Sequence, residues 1–98
     1  MPADTTSTSS QVSHDQAGHR FVAVQDGHEA RLNYTIDGDV LAITHTLVPE
    51  AIRGRGIAGS LVRTALEHAR AAGLRVRPAC EYAEAWMSRH PEYDDLRA

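Results

Sequence analysis

The residues most suited to chemistry lie in one run, Arg53-Gly54-Arg55-Gly56-Ile57-Ala58-Gly59, where a loop gives way to helical periodicity. Glycine allows positive φ and lets a bulky anion come close to the backbone. The first turn of a helix has unpaired N–H groups and a partial positive charge, which together attract phosphate. Arg53 and Arg55 add cationic donors beside it. Three glycines at a helix start serve neither helix stability nor a simple turn, so the segment is expected to cradle a pyrophosphate.

Two familiar phosphate loops do not fit. Gly54-x-Gly56-x-x-Gly59 formally matches the dinucleotide fingerprint. That loop follows its strand at once within a βαβ start, whereas here Pro49 to Ile52 intervene and three expected antiparallel strands come first. No Gly-Lys-Ser/Thr occurs, which excludes a Walker loop.

Three further side chains are candidates. Cys80 falls after a short expected strand and at an expected helix start. Helix N-termini favour thiolates, and a thiolate can accept an acyl group. A buried structural cysteine is the competing reading. Glu81 beside it opposes thiolate formation and could instead act as a general base. His45, on the third expected strand, is the other candidate base, because imidazole titrates near neutrality.

These residues need a scaffold. Residues 1–18 are polar, with Val12 their only large apolar residue after Met1, and are expected to form a disordered tail ahead of a domain over 19–98. A chain beginning at Gly18 is therefore expected to melt like the full one. Phe21 and Ala23, then Ala30, Leu32, Tyr34 and Ile36, alternate with polar residues as half-buried strands do. Asp26-Gly27 and Asp37-Gly38-Asp39 mark turns. Val40 to Val48 is more continuously apolar, as a central strand would be, and Pro49 ends it.

Ile57, Ala58, Leu61, Val62, Ala65, Leu66 and Ala69 then share one helical face, with Gly73 as the stop. Leu74 to Arg77 is a short strand closed by Pro78. A second helix is expected from Cys80 or Glu81 to Pro91, with Tyr82, Ala83, Trp86 and Met87 inward. The order β-β-β-α-β-α implies an α+β fold: a mostly antiparallel sheet of about four strands, one parallel pair and two helices.

Composition narrows the partners. With 98 residues and 42% hydrophobic content the chain suits one globular domain with a surface cleft. A net charge of −3 argues against nucleic acid as the main partner. No apolar run approaches the roughly 18 residues of a membrane span, and no signal-peptide pattern opens the chain, so a cytoplasmic location is expected. The lone cysteine makes no internal disulfide, and no Cys/His spacing, His14 and His19 included, predicts a metal site.

Arg53-x-x-Gly56-x-Ala58 resembles the Arg/Gln-x-x-Gly-x-Gly/Ala motif of the GNAT superfamily of N-acetyltransferases, in the same strand-loop-helix-strand context. With His45-Thr46-x-Val48-Pro49, Pro78-x-Cys80-x-Tyr82 and His90-Pro91-Glu92-Tyr93, the chain looks like the short YjdJ-type subfamily, from about His19 to Tyr93. The resemblance implies a minimal GNAT fold whose two parallel strands splay apart. It implies acetyl-CoA as cosubstrate, its pyrophosphate held by Arg53 to Gly59 and its pantetheine arm paired with Thr46, Leu47 and Val48. It also implies a primary amine acceptor, a protein lysine or small amine, and a cysteine, here Cys80, near the acetyl group. Glu81 departs from the small or neutral residue expected there. Tyr82 is either a proton donor to the leaving thiolate or a core residue packed with Trp86, and packing is the favoured expectation. A CoA-binding or acyl-CoA-sensing module without turnover is the alternative; it would need the loop but neither Cys80 nor His45.

Overall fold

Alternating side chains build the scaffold of this computed structural model, which describes residues 12–98. Five strands, β1 (Val12–Asp15), β2 (Arg20–Gln25), β3 (His28–Asp37), β4 (Val40–Leu47) and β5 (Arg75–Pro78), lie in chain order across one sheet. The first four are antiparallel, and β5 runs parallel to β4. Phe21, Ala23, Ala30, Leu32 and Tyr34 all face the core, as the alternation predicts. At the β2–β3 turn Asp26 and Gly27 both take positive φ, 52° and 76°, the pattern of a type I′ hairpin that Asp-Gly favours.

The expected tail is corrected where it is described: Val12–Asp15 pairs with β2 as a fifth, edge strand, so the ordered part begins before His19. His14 stacks on Phe21 at 4.1 Å between ring centroids, and its Nε2 lies 2.6 Å from the Tyr34 hydroxyl. These contacts come from polar and aromatic surfaces, which a count of apolar residues does not register. Residues 1–11 of the expected tail lie outside the described residues.

Helix α1 (Ile57–Ala72) buries Ile57, Leu61, Val62, Ala65, Leu66 and Ala69, the face that its periodicity predicts, and Gly73 caps it. It carries the crossover from β4 to the parallel β5. Helix α2 (Glu81–Ser88) ends three residues before Pro91, which instead opens a 3-10 segment, Pro91–Leu96. Its Tyr93 and Leu96 join one core with both helices and the inner face of the sheet. The Ala98 N–H donates to the Val76 carbonyl at 2.9 Å, so the C-terminal residues shield the outer edge of β5.

One irregularity matters for the site. Asn33 pairs with His45, but Tyr34 pairs with Ile43, so Thr44 is an extra residue on β4. Such a bulge bends its strand and resets which face later side chains take. Ile43 faces the core before it; after it, Thr46, opposite buried Leu32, takes that side, and His45 turns to the open face.

Candidate functional site

The glycine loop starts from an anchor. After Pro49, Glu50–Ile52 forms a 3-10 turn whose Ile52 is fully buried. Gly54 and Gly56 then adopt left-handed conformations, φ 82° and 77°, which side chains rarely tolerate. Gly56 is the N-cap of α1 and has no side chain to occupy the first-turn N–H groups, and that turn holds no acidic residue. A Cβ placed on either glycine would meet nothing within 4 Å, so the loop backbone faces open space. This helix start is a ready anion site.

The two arginines part company. Arg53 lines the adjoining cleft. Arg55 turns away, pairing through Nη1 with Asp26 Oδ2 at the β2–β3 turn. Gly59 differs from its neighbours too: a Cβ there would lie 3.1 Å from Trp86 Nε1 and 3.6 Å from the Tyr82 hydroxyl. Its smallness lets α2 approach α1.

The cleft, of about 390 Å³, runs from this loop towards the separation of β4 and β5. The parallel ladder stops at Ile43 opposite Pro78, with a last bond from the Ala79 N–H to the Ile43 carbonyl at 2.9 Å. Among the described residues, β4 from His45 to Leu47 pairs only with β3, and its other edge has no strand partner. Thr46 and Val48 line the cleft.

Cys80 lies beside the cleft, next to Thr46. It caps α2, its Sγ accepting from the Ala83 N–H at 3.4 Å and lying 3.5 Å from Thr46 Oγ1. Tyr82 also lines the cleft and is 37% exposed. Partial burial pushes its hydroxyl above the ordinary tyrosine range, against a smaller opposing pull from Arg89, so it stays a donor at neutral pH. The arrangement puts an open helix start and free strand-edge groups on one cleft, with a thiol beside it at Thr46.

A family model described as GCN5-related N-acetyl-transferase matches residues 20–96, most of the chain. The chain belongs to the GCN5-related N-acetyltransferase family. This GNAT domain also matches a GCN5-like protein from Staphylococcus aureus solved by NMR. The TM-score is 0.72 at 22% identity, over 94% of this chain and 91% of that one, and the likeness supports the fold.

The GNAT domain brings together most of the expected residues. Thr46, Val48, Arg53, Gly54, Gly56, Ile57, Ala58 and Gly59 line the cleft, and Cys80 touches it through Thr46. Three stand apart. Leu47 is 46% exposed on the open face, so only its backbone can serve a ligand. Arg55 is held by Asp26. His45 is exposed on the open face, its Nδ1 3.1 Å from Thr44 Oγ1. Glu81 is the exposed first residue of α2. Sequence reasoning missed Ile52 and placed Tyr82 in the core; Tyr82 instead lines the cleft beside Gly59. The third glycine, one turn from the others, was the available signal of a close partner for α1.

Among the described residues, no group of three or more His, Cys, Asp or Glu side chains could hold a metal ion, and no helix is long and apolar enough to cross a membrane.

Proposed function

We propose that this domain, as one of the short YjdJ-type members, binds acetyl-CoA in the cleft and transfers its acetyl group to a primary amine of a protein lysine or small molecule in the cytoplasm. The observation that carries this reading is the continuity of the open two-glycine helix start, the unpartnered edge of β4 and the Cys80 thiol. The open space over Gly54 and Gly56 fits a pyrophosphate. Arg53 and the first-turn N–H groups of Ile57 to Gly59 would hold it, and backbone groups from Thr46 to Val48 would pair with the pantetheine amides.

Acetyl-CoA supplies an activated carbonyl. Acetyl transfer to nitrogen breaks the C–S bond, forms a C–N bond, and leaves a proton to be removed from the amine and one to be given to sulfur. Tyr82 is the donor of the second. The first goes to Glu81, or to His45 for an amine arriving from the open face of the sheet. If Cys80 Sγ attacks first, the acetyl group rests on the protein as a thioester before the amine takes it. That route gives ping-pong kinetics, and direct attack gives sequential kinetics. Glu81 next to the thiol favours the direct route.

The test is incubation with acetyl-CoA and a panel of primary amines and lysine peptides, read by CoA release and by intact mass of acceptor and protein. Acetylated acceptor with stoichiometric CoA supports the proposal. Tight acetyl-CoA binding without product would make this a binding module, and no binding would remove the cosubstrate altogether.

A further inference from the structure

Arg55 is the one residue of the glycine loop whose side chain is committed elsewhere. It lies between two left-handed glycines, and its guanidinium reaches across to the tip of the β2–β3 hairpin. There Nη1 pairs with Asp26 Oδ2 and also donates to Gln25 Oε1 at 3.4 Å, while Nη2 donates to the Ala51 carbonyl at 3.5 Å. One side chain thus joins the hairpin, the 3-10 turn and the loop. Asp26 itself sits at a type I′ position, φ 52°, where Asn serves the turn as well as Asp. Turn geometry therefore does not account for a carboxylate at this position; the guanidinium opposite it does.

We propose that Asp26 is a positioning residue for cofactor binding: by holding Arg55 it fixes the left-handed loop 54–56 in the open shape that receives a pyrophosphate. The inference rests on the acetyl-CoA reading above and adds a residue that is 30 positions away from the loop's N-cap and does not line the cleft. A loop held before binding loses less conformational freedom on binding. The opposite role for the pair is a competitive one, in which Arg55 leaves Asp26 to bind phosphate. The two roles predict opposite signs for removing the carboxylate.

The side chains are 43% and 64% exposed, so the latch is of modest strength. Asp26→Asn preserves the turn and removes only the charge. Acetyl-CoA affinity by calorimetry is expected to weaken about threefold to fivefold in Asp26→Asn and equally in Arg55→Gln, with the double variant no weaker than either single one. Melting temperatures should stay within about 2 °C of wild type. Hydrogen exchange of the loop amides, measured without any ligand, should quicken in Asp26→Asn. Unchanged or tighter binding in Asp26→Asn beside weaker binding in Arg55→Gln would overturn the proposal and make Arg55 a direct phosphate ligand. Unchanged loop exchange would overturn it whatever the protein binds. If the wild type fails to bind acetyl-CoA, the functional reading falls first and this role with it.

Discussion

Cys80 and the glycines separate the tasks of the cleft residue by residue. The thiol is at the α2 cap beside Thr46, away from the loop that would hold phosphate. Cys80→Ala should therefore lower turnover, at least tenfold on the covalent route and by less on the direct one, while acetyl-CoA affinity stays within about twofold, as read by steady-state kinetics against calorimetry. Full activity in that variant, with the thiol equally alkylated in the presence and absence of CoA, would remove Cys80 from the site. Gly56 and Gly59 should respond differently although both lie in one motif. Gly56→Val forces a β-branched residue into φ 77° and fills the cradle, so affinity should drop at least tenfold, about 1.4 kcal/mol. Gly59→Ala leaves the cradle alone but presses on Trp86, which cannot easily yield because it is stacked on His90 at 3.6 Å. Overpacking of about 2 kcal/mol against a helix-propensity gain of about 1 kcal/mol leaves a net loss of about 1 kcal/mol. The melting temperature should fall by about 4–8 °C.

At the scale of elements, β1 tests how a polar segment is held. A chain beginning at Gly18 should melt several degrees below one beginning at Val12, because it loses the His14–Tyr34 bond, the His14–Phe21 stack and the Asp15–Arg20 pair. Equal melting would show that β1 contributes nothing to the fold. The same strand makes stability depend on pH. Burial, then the His68 imidazole, pulls His14 below the ordinary histidine range; Asp15 pulls it up by less, and His19 adds to the lowering. A folded-state value below the unfolded one means that the unfolded chain binds more protons. This contribution is therefore intact above about pH 6.5 and is lost as pH falls below it. Melting temperature should decline from pH 7 towards pH 5.5, before the paired carboxylates Asp15, Glu84 and Asp95 begin to protonate. His14→Gln should flatten that decline.

What was legible follows from the range of the forces involved. The hairpins at Asp26-Gly27 and Asp37 to Asp39 and the buried face of α1 are written in neighbouring residues, and each was readable. β1 was hidden because aromatic stacking and strand register hold it rather than apolar content. The Thr44 bulge left no local mark, yet it decides that Thr46 faces the cleft and His45 does not. Tyr82 was misplaced because its setting beside Gly59 depends on a contact distant in sequence.

For the whole molecule, the cleft lies beside the point where the parallel pair ends. The parallel pair separates beyond Ile43 and Pro78, and the starts of both helices meet this opening, α1 at Gly56 and α2 at Cys80. A ligand that bridges them ties β4, α1 and α2 together and binds only the native state. Binding of that kind raises stability by RT ln(1 + [L]/Kd), about 2.7 kcal/mol at a hundredfold excess over Kd. In a domain of this size each kcal/mol is worth about 4–8 °C, so saturating acetyl-CoA should raise the melting temperature by more than about 10 °C. The shift should come mainly from the cradle. S-acetyl-N-acetylcysteamine carries the thioester and part of the pantetheine arm but no pyrophosphate, and it should give little shift at the same concentration. Gly56→Val should lose most of the acetyl-CoA shift, and Cys80→Ala should keep it. A wild-type melting temperature that does not respond to acetyl-CoA, or that responds equally to the truncated thioester, would show that the helix start does not hold the pyrophosphate.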